Sequence, residues 1–328
     1  MIWLILSFGF TFLSSLILIR FAARLSLLDT PAERKVHIVP TPRTGGTAMV
    51  LGTLATFAVY LASGHPWPPL PWETIAAGTG FITLGILDDR YGFHPRGKFR
   101  WFIALGLLAA WPWAFHGPAG SPYIIHLGNG VLQAPRWLAY PILSVWFVSV
   151  PNAVNIEDAI NGYMGGFTLI VLAVAAILGV NVMIPVGALA AFIILNWPKA
   201  KHFLGDAGSF GCGFVIAEAL LRAGANQRPL LALMITAPIS MDVCIGIIRR
   251  VRLGMSLFEA DRSTFPHHLV NLCGQSHLWA SLILWTNAAV IAGLACRSAI
   301  MVCAYLVLFA GVLGFINRLP LFRQKAVR

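Results

Sequence analysis

Charged residues are scarce in this chain of 328 residues. Asp, Glu, Lys and Arg make up 11% of it, whereas 58% of the residues are hydrophobic. A soluble globular domain carries roughly 25% charged residues, so this composition excludes an ordinary soluble protein. Apolar runs separated by short polar segments instead predict an all-α polytopic membrane protein.

Several sequence signals of other protein classes are also absent. The five cysteines form no CxxC pair and no Cys/His ligand spacing, so no disulfide framework is expected. The first apolar run lacks a basic leader and a small-residue cleavage pattern, which favours a retained span. With no internal repeat and no long linker, residues 1–328 are expected to form a single integral membrane domain. The net charge of +11 lies in short loops, so no nucleic-acid partner is expected.

Eleven apolar segments predict membrane-spanning helices, although several are shorter than the roughly 20 residues that a span needs. The segments are residues 2–19, 46–61, 75–87, 101–115, 137–154, 162–180, 183–197, 210–221, 230–248, 278–294 and 300–316.

The distribution of basic residues predicts the orientation. If the N-terminus lies outside, all but four of the 23 Lys and Arg residues fall in inner segments. The four exceptions are Arg136, Arg222, Arg228 and Arg297. The positive-inside rule therefore predicts an outer N-terminus, a cytoplasmic C-terminus and an odd number of spans. On the outer side, residues 123–133, interrupted by Gly128-Asn129-Gly130, predict a small β-hairpin.

A polar run at residues 152–162 is wedged between two long apolar stretches. Desolvating such side chains at a bilayer edge is costly, and a bound cation with a polar ligand would explain them. On a helix, Asn155, Asp158 and, less closely, Asn161 would lie near one face, and Asn152 would extend the same row. The alternative is a polar helix end that simply faces water.

Acidic residues at the inner ends of other spans extend this candidate site. Asp88 and Asp89 are adjacent, and such acids repel unless a cation neutralises them, which favours metal or phosphate chemistry over a solvated loop start. Asp206 lies between glycines ahead of an apolar helix and could be an N-cap. Beside Asn155 it is a candidate Mg²⁺ ligand, because that ion takes one or two protein oxygens together with water and phosphate.

Two basic inner segments suit anion binding. Lys35, His37 and Arg43 precede Gly45-Gly46, where the backbone can approach a ligand closely. Membrane orientation alone would explain the charges, but neither His37 nor the glycines. The pair His267-His268 could donate to an anionic pyrophosphate, or it could be solvated surface.

These stretches, in this order, resemble the bacterial polyprenyl-phosphate N-acetylhexosamine-1-phosphate transferases of glycosyltransferase family 4, the group of the MraY and WecA enzymes. The motifs that carry the resemblance are residues 29–46, 87–92, 152–162, 203–209 and 261–268. The resemblance implies transfer of a sugar 1-phosphate from a UDP-sugar to undecaprenyl or another polyprenyl phosphate, with release of UMP. It also implies a Mg²⁺ requirement, with Mn²⁺ as an alternative ion, and an active site on the cytoplasmic face of the inner membrane. A homodimer is compatible with it.

The resemblance also implies roles for individual residues. Asp206 and Asn155 would hold the metal, Asp158 and Asn161 would lie beside the uridine, and Phe203 would contact the uracil. Asp88 and Asp89 would bind the lipid phosphate and the metal, and the basic loop with His268 would hold the pyrophosphate. The expected catalytic residues are Asp88, Asp89, Asp206 and His268. The expected substrate-binding residues are Lys35, His37, Arg43, Asn152, Asp158, Asn161, Phe203 and His267.

Two departures from the family pattern point to a branch. Many relatives have Asp-Gly-x-Asp-Gly where this chain has Asn161 in place of the second acid, and Thr264 and Pro266 replace part of a fuller histidine cluster. These departures favour the O-antigen-type branch, which performs the first membrane step of a cell-envelope glycan such as lipopolysaccharide.

The nucleophile in such a reaction scarcely needs a base, because a phosphate monoester with a second pKa of about 6 is mostly anionic at neutral pH. Positioning by Asp88 and Asp89 is therefore expected to dominate, with proton abstraction by Asp89 as the weaker alternative. The rival function is that of an ion-coupled secondary transporter. Transporters place coupling residues near the bilayer midplane, where this chain offers only Glu218 and Asp242.

Overall fold

The computed structural model describes residues 1–29, 39–116, 123–127, 130–225, 229–257, 264–297, 305 and 307. Within these ranges the chain is built mainly from α-helices. They are α1 (Ile2–Phe21), α2 (Gly45–Ala62), α3 (Trp72–Tyr91), α4 (Pro95–Phe115), α5 (Arg136–Glu157), α6 (Tyr163–Ile177), α7 (Met183–Asn196), α8 (Gly205–Leu220), α9 (Pro229–Arg252), α10 (Phe265–Leu272) and α11 (His277–Ala295). A π-helical segment, Leu221–Ala225, follows α8 directly.

Two antiparallel strand pairs accompany the helices. Strands β3 (Tyr123–Leu127) and β4 (Gly130–Ala134) pair with Tyr123 opposite Ala134, which confirms the hairpin predicted over residues 123–133. Strands β1 (Leu28–Asp29) and β2 (Thr41–Pro42) form a shorter pair that the sequence did not predict. Two residues are too few to carry a period-2 pattern.

The helices are those of a multi-pass, all-α membrane protein. In the described ranges α1, α2, α5, α9 and α11 are long and apolar enough to cross a membrane, and α6 and α7 are shorter apolar helices. The first ten predicted segments each coincide with a helix, namely α1 to α9 and α11. The eleventh, residues 300–316, lies outside the described residues apart from 305 and 307, which are helical.

Helix α1 shows the inverted pattern of a lipid-facing span. Its buried residues are the small polar Ser7, Thr11 and Ser15, whereas large apolar side chains such as Ile5 and Leu13 are exposed. Small residues let helix backbones approach closely in a bilayer, where burial of apolar side chains gives little net gain. Ser7 Oγ donates to the Ile184 carbonyl at 2.7 Å, which ties α1 to α7.

The core lies where α3, α4, α5 and α8 pack together. Phe102 on α4 makes edge contacts with Phe81 on α3 and with Phe210 on α8, with ring centroids 5.4 and 4.8 Å apart. All three rings are fully buried. This packing brings the C-terminal end of α3, the N-terminal end of α4 and the N-terminal end of α8 to the same end of the bundle.

The predicted helical row of Asn155, Asp158 and Asn161 is wrong. Helix α5 ends at Glu157, and Asp158 leaves the helix with φ −74° and ψ 57°. Gly162 then adopts a left-handed φ of 79° before α6 begins. Asn196 Oδ1 accepts a 2.5 Å hydrogen bond from the Gly162 N–H, so a residue 34 positions away contributes to this turn.

Candidate active site

Three side chains from separate helices form the centre of the site. Lys98, in the first turn of α4, places its Nζ 2.6 Å from Asp88 Oδ2 at the end of α3. The same ammonium lies 3.2 Å from Asp206 Oδ2 in the first turn of α8. Asp88 also accepts a 2.6 Å hydrogen bond from the Phe93 N–H and is only 4% exposed. The lysine therefore bridges two carboxylates that would otherwise repel each other.

Asn155 connects α5 to this centre. Its Nδ2 donates to Asp206 Oδ1 at 2.8 Å and to Ser209 Oγ at 3.0 Å. Because both donors of the amide point toward α8, the carbonyl oxygen of Asn155 is the atom that could bind a cation. The structure thus brings the two predicted metal ligands, Asn155 and Asp206, into direct contact.

Asp89 binds the backbone at the start of α8. Its Oδ1 accepts from the Asp206 N–H at 2.9 Å and its Oδ2 from the Ala207 N–H at 3.0 Å. A carboxylate at a helix N-terminus satisfies unpaired N–H groups and favours the helix dipole. With both oxygens engaged in this way, Asp89 is placed to position the first turn of α8, which carries Asp206, and the geometry favours that role over proton abstraction.

Asp158 adds a further acidic group to the region. Burial, followed by the charges of Asp206 and Asp89, raises the pKa of its carboxyl to about 8. Because the charges of Asp206 and Asp89 both change the pKa of the Asp158 carboxyl, the three acids share one electrostatic environment. The acids Asp88, Asp89, Asp158 and Asp206 therefore share one end of the bundle, as the sequence predicted.

Asn161 lies in the turn before α6 and contacts two other segments of the chain. Its backbone N–H donates to His277 Nδ1 at 3.1 Å, and its side-chain Nδ2 donates to the Pro198 carbonyl at 3.2 Å. These contacts join the turn before α6 to the loop after α7 and to the start of α11. The structure does not bring the Asn161 amide to the carboxylate centre.

The segment that follows β2 lies beside the loop that precedes α8. The Phe203 N–H donates to the Pro42 carbonyl at 2.7 Å, and the Gly45 N–H donates to the Phe203 carbonyl at 2.9 Å. Arg43 forms a 2.8 Å ion pair with Asp29, and its positive charge also acts on Asp89. Arg43 and Phe203 therefore border the site, whereas the predicted Lys35 and His37 lie outside the described residues.

The histidine pair occupies the short helix α10. His267 Nδ1 lies 2.7 Å from Thr264 Oγ1, and the Phe265 N–H donates to Asp242 Oδ2 on α9 at 2.7 Å. His268 contributes its positive charge near Asp242 when it is protonated. The described contacts thus place His267 beside the N-cap residue of α10 and His268 near Asp242 on α9.

Sequence reasoning missed Lys98 and Ser209 as site residues. In the sequence, Lys98 counts only as one of the basic residues that predict the membrane orientation, although its position ten residues after Asp88, at the start of the next helix, is a usable signal. Asn152 lies one turn before Asn155 on α5 and is half-buried. Among the described residues, no three His, Cys, Asp or Glu side chains form a metal cluster by themselves. A cation here would need amide, water or ligand oxygens as well.

The chain is similar to a known protein family over the segment that carries the site. The family model described as "Glycosyl transferase family 4" matches residues 72–224, which include Asp88, Lys98, Asn155 and Asp206. The chain is 29% identical to the decaprenyl-phosphate N-acetylglucosaminephosphotransferase of Mycobacterium leprae, over 83% of this chain and 76% of that protein. It is 29% identical to the probable undecaprenyl-phosphate N-acetylglucosaminyl 1-phosphate transferase of Bacillus subtilis, over 81% and 75%. The undecaprenyl-phosphate alpha-N-acetylglucosaminyl 1-phosphate transferase of Escherichia coli O157:H7 is 27% identical, over 89% and 82%.

Proposed function

We propose that this chain, which belongs to glycosyl transferase family 4, transfers a sugar 1-phosphate from a UDP-sugar to a polyprenyl phosphate and releases UMP. It is an enzyme, a phosphotransferase. The observation that carries the proposal is the contact of Asp206 with both Lys98 and Asn155, which gathers charge and hydrogen-bonding groups from three helices around one acid. The sugar that we propose is N-acetylglucosamine, after the names of the similar proteins.

The reaction needs one phosphorus–oxygen bond to form and one to break. An oxygen of the lipid phosphate attacks the phosphorus that bears the sugar, and the bond from that phosphorus to the UMP oxygen breaks. The lipid phosphate is mostly anionic at neutral pH, so no residue has to remove a proton from it. Lys98 can pair with an incoming phosphate oxygen, since its ammonium already bridges two carboxylates at the same point.

Magnesium fits the donor set of this site. Mg²⁺ prefers oxygen ligands and takes one or two carboxylates while it keeps water and phosphate in its octahedron. The residues that would hold it are Asp206 and Asn155, the latter through its carbonyl oxygen. Asp88 is linked to Asp206 through the ammonium of Lys98. When bound, the ion would neutralise the pyrophosphate charge and hold it in line for displacement. Mn²⁺ is the alternative ion.

Substrate binding is proposed to involve residues around this centre. Asp158 and Asn152 at the end of α5 and Phe203 before α8 are the proposed nucleotide contacts. Asn161 is proposed to act on the nucleotide through the turn that it braces, because its amide donates to Pro198. Arg43, His267 and His268 are the proposed contacts of the pyrophosphate, together with Lys35 and His37, which lie outside the described residues.

We propose eleven spans with an outer N-terminus and a cytoplasmic C-terminus, which places the active site on the cytoplasmic face of the inner membrane. The basic residues support this orientation. Cysteine labelling tests it in a background without the native cysteines. A cysteine at exposed Ser63 should react with an impermeant reagent added outside, and one at exposed Asn271 should not. The reverse result would overturn the orientation.

The O-antigen-type branch, with a role in the first membrane step of lipopolysaccharide synthesis, is also part of the proposal, and a homodimer stays a prediction. The transporter alternative has less support. Of its two deep acids, Glu218 is ion-paired with Arg222 at 2.7 Å, and Asp242 binds the start of α10.

One assay tests the proposed function. The purified protein is incubated with undecaprenyl phosphate, Mg²⁺ and a panel of UDP-N-acetylhexosamines, and UMP and lipid-linked product are measured. We expect both products in equal amounts, activity that chelation abolishes and Mg²⁺ restores, and almost none in Asp206→Asn. Near wild-type turnover of Asp206→Asn at saturating substrate would contradict the metal assignment. Failure to form product with any UDP-sugar would contradict the function.

A further inference from the structure

The helix that carries the histidine pair is too short to be stable by itself. Helix α10 has eight residues, Phe265–Leu272, and isolated helices shorter than about 12 residues are marginal in water. Its N-cap residue, Thr264, makes no side-chain capping bond, since its hydroxyl lies 2.7 Å from His267 Nδ1. The first turn of α10 therefore depends on a partner from elsewhere in the chain.

That partner is a carboxylate on another helix. Asp242, on α9, accepts a 2.7 Å hydrogen bond from the Phe265 N–H through its Oδ2. A carboxylate that accepts from the N-terminal N–H groups of a helix does what an Asp N-cap does, and its charge complements the helix dipole. Here the capping residue precedes the capped amide by 23 residues.

A second buried acid holds Asp242. The carboxyl groups of Glu157 and Asp242 are close enough to act on each other, and the two residues are 1% and 8% exposed. Helices α5 and α9, which carry the two acids, pack against each other. Buried acids are costly and are retained when they are paired and hydrogen-bonded.

The position of Glu157 gives the pair its connection to the active site. Glu157 is the last residue of α5, two residues after Asn155 and directly before Asp158. Asn155 donates to Asp206. A continuous series of contacts thus runs from Asp206 through α5 and the acid pair to the first amide of α10.

We propose that Glu157 and Asp242 are positioning residues, a buried carboxyl pair that caps α10 and sets the histidine pair relative to the end of α5 that carries Asn155. The catalytic part of this proposal rests on the proposed function, and the capping part does not. Neither acid has to touch substrate, because Asp242 acts through its hydrogen bond with the Phe265 N–H and Glu157 acts through Asp242.

Amide hydrogen exchange tests the capping part without any substrate. In Asp242→Ala we expect exchange at residues 265–272 to rise by about tenfold or more, because the cap is lost. Asp242→Asn keeps an acceptor for the Phe265 N–H and gains a donor for Glu157, so its exchange should stay within about threefold of the wild type. Asn271→Ala, on the exposed side of the same helix, is the matched control and should leave exchange at residues 265–268 unchanged.

A second-site variant covers the case in which Asp242→Ala does not fold. Thr264 has the extended backbone of an N-cap, with φ −73° and ψ 151°, so Thr264→Asp should cap α10 locally. The double variant Asp242→Ala/Thr264→Asp should recover the slow exchange. If Asp242→Asn exchanges as fast as Asp242→Ala, or if no variant changes exchange at residues 265–272, the capping role is wrong.

Steady-state kinetics test the catalytic part. Asp242→Ala should raise the KM for the UDP-sugar by about tenfold or more and change the KM for the lipid phosphate much less, whereas Asp242→Asn and Glu157→Gln should keep most of the wild-type kcat/KM. Faster exchange at α10 with unchanged kinetics would overturn the positioning role. Wild-type protein without transferase activity would overturn the proposed function, and the exchange experiment would still decide whether the acids cap α10.

Discussion

The ammonium of Lys98 lies 2.6 Å from Asp88 Oδ2, in a site where acidic residues outnumber basic ones. The same nitrogen reaches Asp206 at 3.2 Å. One lysine therefore relieves the repulsion between the ends of α3 and α8, and it does so where the lipid phosphate is proposed to enter.

Replacing Lys98 should lower the catalytic efficiency of the enzyme. In Lys98→Met we expect kcat/KM to fall by roughly a hundredfold, since a charge that neutralises developing phosphate charge is removed. Lys98→Arg should keep part of the activity, because it preserves the charge with a different geometry. Arg100→Met, at an exposed position on the same helix, is the control and should stay near wild type. Equal kcat/KM in Lys98→Met and Arg100→Met would show that the ammonium takes no part.

Asp89 should behave as a helix cap in stability measurements. Asp89→Ala leaves the N–H groups of Asp206 and Ala207 without their acceptors, and unsatisfied buried donors cost about 1–3 kcal/mol each. We expect a lower Tm together with lower activity. Asp89→Asn keeps one acceptor oxygen, so its Tm and activity should lie between those of the wild type and Asp89→Ala. If Asp89→Ala loses activity with an unchanged Tm, the carboxylate acts in the chemistry and the capping explanation is wrong.

Close contact between α2 and α8 depends on the absence of a side chain at Gly46. A Cβ there would overlap the backbone of Gly208 and Ala207, which cannot move without shifting α8. Gly46→Ala should therefore destabilise the protein by at least about 1–3 kcal/mol. Gly9→Ala is the matched control in α1, because a Cβ at Gly9 would meet nothing within 4 Å. Thermal unfolding of both variants in the same detergent should show a loss of stability for Gly46→Ala only.

His202 should make the stability of the protein depend on pH. It lies in the loop between α7 and α8, its ring is fully buried, and burial lowers its pKa from 6.5 to about 4. Between these values the unfolded chain binds a proton that the folded protein does not bind. Stability should therefore fall as the pH drops from about 6.5 toward 4, by on the order of 3 kcal/mol in total.

A comparison of variants isolates this contribution from that of the acids. His202→Phe keeps a ring of similar size next to Phe192 and cannot take up a proton. Its unfolding free energy should decline less than that of the wild type between pH 6.5 and 5. His65→Phe, at an exposed position, should follow the wild type. Parallel curves for wild type and His202→Phe would show that the buried ring does not titrate as described.

Hydropathy and charge in the sequence determined the class of the protein and the approximate bounds of most helices. The hairpin of β3 and β4 was also predictable, because the turn signal Gly128-Asn129-Gly130 separates two short strands in the sequence. The acids at helix ends were also visible, because isolated carboxylates in an apolar sequence are costly and therefore informative. All of these are local properties of the chain.

Only the tertiary structure decided how those residues meet. Lys98 reaches Asp206 across 108 positions of sequence, and Asp89 caps a helix that begins 116 residues later, and neither contact leaves a trace in local composition. Helix α5 ends at Glu157 and so separates Asn155 from Asn161, and a hydrogen bond from Gly162 to Asn196 holds the turn that follows. Periodicity reports which residues could share a helix face, but the partners that end a helix or pair a buried charge come from distant segments, and their positions follow from packing.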